Sequence, residues 1–272
     1  MKFSVLMSVY INDDADFLKI ALESIYDHQT RKPNEIVVVF GPLNDKQYAV
    51  LDEFRKNREE VVRYYPQEIN RGLGEALRIG SELCTGDYIL RMDSDDISDK
   101  ERFAKQIAFV EAHPEVDVLG TNIAEFDSDP YTENKRQRVC PIKHEDIVRR
   151  AKHRNPMNHV TACIKKSALM KAGGYQTLNL LEDYLLWLNM IVAGCKFENL
   201  NEALVYVRVG NGFERRRGSK ERIIGWSKLQ DIMLEHGMIN RWQAMMNKIY
   251  IRMFVNTPPG LKKIIYQLLL RK

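Results

Sequence analysis

The chain has 272 residues, of which 44% are hydrophobic and 29% charged, a composition that supports one large core with a small additional lobe. The apolar run Phe3–Val9 is too short for a signal peptide, and no stretch has the length needed to span a bilayer. We therefore expect a cytoplasmic protein that is soluble or peripheral to the inner membrane. The widely spaced cysteines fit no metal-binding pattern, which predicts buried, reduced thiols at Cys84, Cys140, Cys163 and Cys195.

The net charge of +4 hides an uneven distribution along the chain. Residues 204–272 carry fourteen Lys or Arg against four Asp or Glu, so the rest of the chain is acidic overall. A basic C-terminal third on an acidic body favours a polyanionic partner: nucleic acid, anionic lipid or a substrate diphosphate.

The first hundred residues alternate between the periods of strands and helices. Nearly continuous apolar runs predict buried strands at residues 3–9, 35–40, 61–65 and 88–92. Helical periodicity predicts helices over 14–28, around Leu51 and Phe54, and over 72–83. This alternation predicts an α/β fold with a mostly parallel central sheet and helices on both faces. Ligands of such sheets bind beyond the carboxyl ends of the strands, which fall at Tyr10, Phe40, Gln67 and Asp93.

Beyond Asp96 the alternation is looser. We predict, in order, a helix over 100–113, a strand over 116–122, a loop over 128–141, a strand over 160–164, a helix over 182–192 and a pair of strands around Asn201. From Gly218 the pattern is helical to the end of the sequence, with a break at 257–260. The sequence therefore predicts a helical C-terminal extension to the α/β body.

Three carboxylates lie within four residues directly after the fourth strand, in the run Met92-Asp93-Ser94-Asp95-Asp96. Their mutual repulsion at a strand end is relieved most easily by a cation. Carboxylate oxygens suit Mg²⁺ or Mn²⁺, and such an ion can also hold a substrate diphosphate. The alternative is a solvated loop in which Asp99 caps the next helix.

Two further segments lead into helices. The turn Asn70-Arg71-Gly72-Leu73-Gly74 can direct backbone amides and a helix N-terminus towards an anion. Because Leu77 stands where a dinucleotide fingerprint has its third glycine, a plain turn fits equally well. Glu182 and Asp183 open a helix, where acids interact favourably with the helix dipole. The functional interpretation of this pair is a general base held at a fixed helix start.

Taken together and in this order, these segments resemble a bacterial family 2 glycosyltransferase with the GT-A fold, of the kind found in capsule, exopolysaccharide and O-antigen gene clusters. The resemblance runs from about residue 3 to about residue 217. It is carried by Ser8-Val9-Tyr10, residues 70–80, Gly86-Asp87-Tyr88-Ile89, the Asp-x-Asp-Asp run, Gly173-Gly174-Tyr175 and Glu182-Asp183. The Gln-x-x-Arg-Trp signature of processive synthases is absent from the sequence, which favours transfer of one sugar per acceptor.

The resemblance implies roles for individual residues. Asp93 would reach the ribose or base of the donor, Asp95 would bind the divalent ion that bridges the diphosphate, and Asp183 would deprotonate the acceptor. It also implies a donor site, for which the candidates are Val9, Tyr10, Phe40, Arg71, Arg78, Asp93 and Ser94.

Two positions depart from the family pattern. The second strand ends in Phe40-Gly41-Pro42, where the family usually places an acid that contacts the nucleoside. Recognition of uracil is therefore open at this point: Phe40 either stacks on the base or belongs to the core. Arg78 stands where the family often has Asn, and a basic residue there would approach a phosphate.

Five further residues are candidate contacts to the acceptor or the diphosphate. His159 is either a structural histidine or a contact to the donor phosphate or the acceptor, and Glu182 either contacts the acceptor sugar or caps its helix. The run Arg215-Arg216-Arg217 is either solvated or part of a mobile basic loop that closes on the leaving diphosphate.

These interpretations predict an inverting, metal-dependent transfer of a hexose or N-acetylhexosamine from a UDP-sugar to an acceptor hydroxyl, on a lipid-linked saccharide in surface polysaccharide assembly. Residues 1–205 would form the catalytic domain, with the nucleotide-sugar half at about 1–98 and the acceptor half at about 99–205. Residues 206–272 would form a basic loop and a helical extension. The alternatives are a sugar nucleotidyltransferase, although the segment after the first strand lacks glycine and basic residues, and a basic nucleic-acid-binding protein, although no such motif is found.

The final residues combine apolar positions at helical spacing with basic residues, which is the composition of an interfacial amphipathic helix. The apolar positions are Leu261, Ile264, Ile265, Leu268 and Leu269, and the basic ones are Lys262, Lys263, Arg271 and Lys272. We expect this segment either to hold the enzyme at the inner membrane surface or to pack back on the catalytic domain.

Overall fold

A computed structural model describes residues 1–127, 130, 136–178, 180–209 and 220–257 of the chain. Its strands are β1 (Phe3–Val9), β2 (Glu35–Phe40), β3 (Val62–Pro66), β4 (Tyr88–Met92), β5 (Ile97–Ser98), β6 (Val118–Phe126), β7 (Arg136–Arg138), β8 (Cys163–Lys165) and β9 (Phe197–Arg208). Its helices are α1 (Ala15–Ile25), α2 (Asp45–Arg55), α3 (Leu73–Leu83), α4 (Arg102–Ala112), α5 (His144–Ala151), α6 (Lys166–Lys171), α7 (Glu182–Val192), α8 (Lys220–Glu235) and α9 (Arg241–Asn256).

The described strands form one sheet in the order β3-β2-β1-β4-β8-β6-β9-β5, with β7 paired to β6. β1 runs parallel to both β2 and β4, and β2 runs parallel to β3. β8 lies antiparallel between β4 and β6 and so joins the two halves of the sheet. The strand order reverses at β1, which has β2 on one side and β4 on the other. The carboxyl ends of β1 and β4 therefore border the crevice in which sheets of this type bind ligands.

Helices cover both faces of the sheet. The core on one face is formed with α1, α2 and α4 and includes Leu18, Leu22, Leu51, Phe54, Phe103 and Ile107. The core on the other face is formed with α3, α5, α6 and α7 and includes Leu77, Ile147, Leu169, Leu186 and Trp187. Val5 and Met7 of β1 belong to the first core and Leu6 to the second, as the two-residue period of a doubly buried strand requires. The predicted α/β architecture is confirmed.

The helical extension is a hairpin of α8 and α9 that packs on the outside of α7. Their shared core contains Tyr184, Leu185, Leu188, Leu229, Met233 and Ala244. The predicted helical pattern is present up to Asn256, with a turn between Glu235 and Arg241 that the sequence analysis did not predict. Gly237 has a φ of +67° in this turn, a conformation that commonly ends helices and favours glycine. None of the helices in the described ranges is both long and apolar enough to cross a membrane.

Three other predicted elements differ from the structure. The predicted loop over 128–141 contains β7, an edge strand whose polar sequence gives no apolar signal. The predicted strand over 160–164 is a 3₁₀ turn at His159–Thr161 followed by the shorter β8. The predicted strand pair around Asn201 is the single strand β9, whose pairing with β6 shifts register on both sides of Asn122. Such bulges absorb extra residues without ending a strand.

Candidate active site

A cleft of about 1230 Å³ opens beyond the carboxyl ends of β1, β2 and β4. The predicted site residues that line it are Val9, Tyr10, Phe40, Arg71, Asp93, Ser94 and Asp95. Four other predicted residues lie outside this lining, namely Arg78, His159, Glu182 and Asp183. Arg215, Arg216 and Arg217 fall outside the described residues, as does the predicted amphipathic segment over 261–272.

Asp13 ties the acid run to the loop after β1. One oxygen of its carboxylate accepts hydrogen bonds from the backbone N–H of Tyr10 at 2.8 Å and from the hydroxyl of Ser94 at 2.6 Å. Asp13 also lines the cleft. The sequence analysis assigned it no role, although its position four residues after a buried strand was a usable signal. This contact fixes the carboxyl ends of β1 and β4 relative to each other.

Asp95 is exposed on the wall of the cleft. Its pKa is raised to about 6. The main cause is partial desolvation of the carboxylate by the walls of the cleft, and the negative charges of Asp93 and Asp13 add to it. A cation would relieve this concentration of negative charge. Within the described residues, no group of three or more Asp, Glu, His or Cys side chains is arranged to hold an ion by itself. The carboxylate of Asp95 is an oxygen ligand of the kind that Mg²⁺ or Mn²⁺ takes together with water and substrate phosphates.

Asp96 has a structural role in the same run. It is buried, and its carboxylate accepts a hydrogen bond from the backbone N–H of Arg208 at 2.9 Å, which joins the acid run to the end of β9. Burial, with the charges of Asp93 and Asp95, raises the pKa of Asp96 well above its usual range. The guanidinium of Arg208 lies 3.7 Å from the ring centroid of Phe17 and lines the cleft. Arg208 is thus a cation beside the acid run that the sequence analysis missed.

Arg91 lies under the cleft, within β4. Its side chain is 1% exposed, and one terminal nitrogen forms an ion pair with the carboxylate of Asp93. Its Nε and Nη1 have no hydrogen-bond partner in the described part of the chain. A buried polar group without a partner lowers the stability of the fold by about 1–3 kcal/mol. Arg91 therefore does not occupy this position for the sake of stability. Its charge and its contact with Asp93 indicate a role in the site. The sequence could have indicated this role, because Arg91 is a charged residue inside an otherwise apolar strand.

We expect Arg91→Met to lower turnover by about tenfold or more while reducing stability less than the matched variant Arg102→Met does. Arg102 is equally buried, but its guanidinium donates to Gln106, to the carbonyl of Arg91 and to that of Val160. Removing Arg102 leaves these acceptors unpaired, which should lower the melting temperature by roughly 5–10 °C. Melting curves and steady-state rates for both variants check the prediction. Equal activity of Arg91→Met and the wild type would contradict it.

Asp183 is held at the start of α7 from two sides. Asn155 donates a hydrogen bond from Nδ2 to one carboxylate oxygen at 2.5 Å, and the backbone N–H of Tyr184 donates to the other at 2.7 Å. Leu180, three residues earlier, lines the cleft, so the start of α7 borders it. The carboxylate is therefore fixed in orientation beside the cleft. Asn155, to which the sequence analysis assigned no role, is thus the side-chain partner of Asp183.

The side chain of Glu182 packs against α3 at Gly74. A Cβ atom at Gly74 would lie 2.8 Å from Cγ of Glu182, so any larger residue there would displace the Glu182 side chain. Burial raises the pKa of Glu182. The glycine turn before α3 and the start of α7 are thus in direct contact.

Residues 70–74 contain the predicted glycine turn before α3. Gly72 has a φ of +92°, a conformation that favours glycine, and its N–H donates to the side-chain oxygen of Asn70 at 2.7 Å. Arg71 lines the cleft between these two residues. The N-terminal end of α3 therefore borders the cleft.

Two predicted donor contacts have other partners in the structure. Arg78 pairs with Glu75 at 2.8 Å and with Glu82 at 2.9 Å along α3, and its guanidinium is not part of the cleft wall. The ring of Phe40 is 5% exposed and packs edge-on against Tyr48 and Tyr64. Arg78 is thus engaged in surface ion pairs. Phe40 is buried beside the cleft, which favours the core alternative over stacking on a base.

His159 lies behind the cleft. Its Nε2 is hydrogen-bonded with the hydroxyl of Tyr175 at 2.9 Å, and its ring packs edge-on against Trp187. Burial and then the charge of Arg91 lower its pKa to about 4, so the ring is neutral near pH 7. The structure therefore favours the structural alternative for His159 over a contact with a phosphate.

The fold and the site define a glycosyltransferase with the GT-A fold. A solved structure with this fold is that of Staphylococcus aureus TarS 1–349 in complex with UDP-GlcNAc, which matches with a TM-score of 0.69 at 18% identity over the whole of this chain and 76% of TarS 1–349. The chain belongs to glycosyl transferase family 2, whose family model matches residues 4–175.

Relatives over the full length agree with this assignment. An uncharacterized glycosyltransferase of Haemophilus influenzae is 39% identical over the whole of both chains. The UDP-Gal:α-D-GlcNAc-diphosphoundecaprenol β-1,3-galactosyltransferase of Escherichia coli is 33% identical over all of this chain and 97% of its own. Membership of this family replaces both alternatives from the sequence, the sugar nucleotidyltransferase and the nucleic-acid-binding protein.

Proposed function

We propose that the protein is an inverting, metal-dependent enzyme that moves a hexose or N-acetylhexosamine from a UDP-sugar to a hydroxyl of a lipid-diphosphate-linked saccharide. The observation that carries this proposal is the run Asp93-Ser94-Asp95 on the wall of the cleft, tied to the loop after β1 by Asp13. The E. coli relative supports the choice of donor and acceptor, since its name specifies a UDP-sugar and a diphosphoundecaprenol-linked acceptor. We infer that the reaction takes place on the cytoplasmic side, during surface polysaccharide assembly.

In this proposal residues 1–98 form the donor half of a catalytic domain that ends near residue 205. Asp93, oriented by its ion pair with Arg91, contacts the ribose or base of the donor. Asp95 would hold Mg²⁺ or Mn²⁺, and Arg71 and the N-terminal end of α3, which line the same cleft, would bind the diphosphate. A divalent ion bound at Asp95 offsets the charge that builds on the departing nucleoside diphosphate.

Residues 99–205 form the acceptor half in this proposal, with Asp183 as its catalytic base. Asn155 fixes the orientation of the carboxylate, which takes the proton of the acceptor hydroxyl as the oxygen attacks the anomeric carbon. The bond from that carbon to the diphosphate breaks in the same step, so the configuration at the anomeric carbon inverts. A single displacement of this kind needs one base and no nucleophile from the enzyme.

Thermal melting with a panel of nucleotide-sugars tests the donor. A UDP-sugar at about 100 times its Kd, with Mg²⁺ or Mn²⁺ present, should add about 2.7 kcal/mol and raise the melting temperature by roughly 5–10 °C. Release of UDP should then depend on a lipid-diphosphate-linked saccharide. Stabilisation by nucleoside triphosphates and by none of the nucleotide-sugars would contradict the proposal. Asp93→Asn is the matched variant, because it should lose the donor-dependent shift and keep the fold.

A further inference from the structure

The outer face of α9 is apolar and exposed. It carries Trp242, Met245, Met246, Ile249, Tyr250 and Met253, whose exposure lies between 40% and 67%. These positions recur every three to four residues and so form one stripe along the helix. Ala244, Ile251 and Val255 on the opposite side of α9 are buried. The helix is therefore apolar on two sides, of which only the inner one belongs to the core of the protein.

The charges on α9 itself are all positive. α9 contains Arg241, Lys248 and Arg252 and no Asp or Glu, and of these three only Lys248 forms an ion pair given by the structure, with Asp231 of α8. The sequence after α9 adds four basic residues and no acidic one. An apolar stripe with Trp and Tyr, flanked by Lys and Arg, is the composition of a helix that lies on an anionic lipid surface.

The inner side of α9 shares a core with α7, the helix that carries the proposed base, through Ala244, Tyr184 and Leu185. The rings of Tyr184 in α7 and Trp226 in α8 are in contact at 5.5 Å between their centroids. Asn247 of α9 donates a hydrogen bond to the carbonyl of Lys152 at 3.3 Å. If the outer face of α9 binds a membrane, α7 is thus held at a fixed distance from that membrane.

We propose that the exposed face of α9 docks the enzyme on an anionic lipid bilayer. Trp242, Met253 and the apolar residues between them would lie at the level of the lipid headgroups, and Arg241 and Arg252 would contact the negative surface. This placement holds the enzyme at the membrane in which a lipid-linked acceptor is presented, a consequence that rests on the proposed function. A second copy fits this face less well, because a two-fold pairing of α9 would bring basic residues of both copies together.

Vesicle co-sedimentation of the full chain tests the proposal without donor or acceptor. The wild type should sediment with vesicles of phosphatidylcholine containing about 30% phosphatidylglycerol and much less with phosphatidylcholine alone. The double variant Trp242→Glu, Met253→Glu should lower this binding by about tenfold or more, because two apolar anchors are lost and two negative charges are added. Ile20→Glu is the matched control, since Ile20 is an exposed apolar residue of α1 with 38% exposure, and it should bind as the wild type does.

Activity with two acceptors separates docking from catalysis. The double variant should keep its rate with a water-soluble acceptor saccharide and lose rate only with an acceptor embedded in vesicles. Vesicle binding that disappears in the double variant supports docking even where no transfer is detected, so failure of the proposed function would be seen separately.

Three results would overturn the proposal. The first is a wild type that does not sediment with the anionic vesicles, or a double variant that binds them equally. The second is a concentration-dependent dimer that the double variant abolishes, which would assign the face to a second copy. The third is a fall in the melting temperature of the double variant without vesicle binding by the wild type, which would assign the face to a contact with residues 258–272.

Discussion

Asp183→Asn should lower kcat by about 10²- to 10⁴-fold, the usual contribution of a general base, and leave nucleotide-sugar binding intact. The amide of Asn has nearly the shape of the carboxylate and its oxygen can still accept from the backbone N–H of Tyr184. Its NH2 group then faces the donor Nδ2 of Asn155, so that one hydrogen bond is lost. What is lost is the ability to take the proton of the acceptor hydroxyl. Steady-state rates together with donor-dependent melting shifts measure the two effects separately.

Glu182→Gln is the matched control for this variant. Glu182 is adjacent in sequence, but its side chain packs against Gly74, and neighbouring residues of a helix point about 100° apart. The control should therefore retain most of the turnover. The anomeric configuration of the product, read by NMR, tests inversion in the same experiment. Near-wild-type turnover of Asp183→Asn, or an α-linked product from an α-linked donor, would refute the mechanism.

The parallel half of the fold was predictable because its strands are buried on both faces. Continuous apolar runs gave β1, β2 and β4 with their correct ends and β3 within one residue. The antiparallel half was less predictable, since its strands are defined by their partners. The polar strand β7 exists because it pairs with β6, and β9 passes through polar Asn201 because its bulge absorbs the extra residues. Such pairings are tertiary and leave no periodic signal in the sequence.

In the candidate site, too, features that come from adjacent residues were predictable, and features that come from tertiary packing were not. Adjacent carboxylates in one short run were visible in the sequence, but Asp13 and Arg208 reach that run only through the packing of β1 and β9 on β4. The partners of Arg78 were visible, since Glu75 and Glu82 stand three and four residues away on one helix, a spacing that favours ion pairs. The ion pairs of Arg78 are therefore a local feature that the sequence alone predicts.

Asp95→Ala should remove most of the turnover, by about 100-fold or more, because stabilisation of a leaving group by a metal ion contributes several kcal/mol. Treatment of the wild type with EDTA should have the same effect. Asp95 would be the main protein ligand of the ion, because it lies on the cleft wall and, unlike Asp93, forms no ion pair with Arg91. Rates measured across a titration of Mg²⁺ and Mn²⁺ check both parts of the prediction.

Asp95→Ala should not lower the stability of the protein, although it lowers the activity. The folded-state pKa of Asp95, about 6, lies above its ordinary value of 3.8, so the folded state binds a proton more tightly than the unfolded chain does. The stability of the wild type therefore decreases as pH rises from about 4 to about 6, and that loss persists at pH 7.5. Asp95→Ala removes the unfavourable charge and should melt no lower than the wild type at pH 7.5.

Asp99→Ala is the matched control for Asp95→Ala, because Asp99 lies four residues further along and outside the cleft lining. Its carboxylate accepts hydrogen bonds from the backbone N–H of Glu101 at 2.9 Å and from the hydroxyl of Tyr206 at 3.0 Å. The control should therefore lose about 1 kcal/mol of stability and keep both its turnover and its sensitivity to EDTA. Full wild-type activity in EDTA, or wild-type rates of Asp95→Ala at the same Mn²⁺ concentration, would show that this carboxylate holds no catalytic ion.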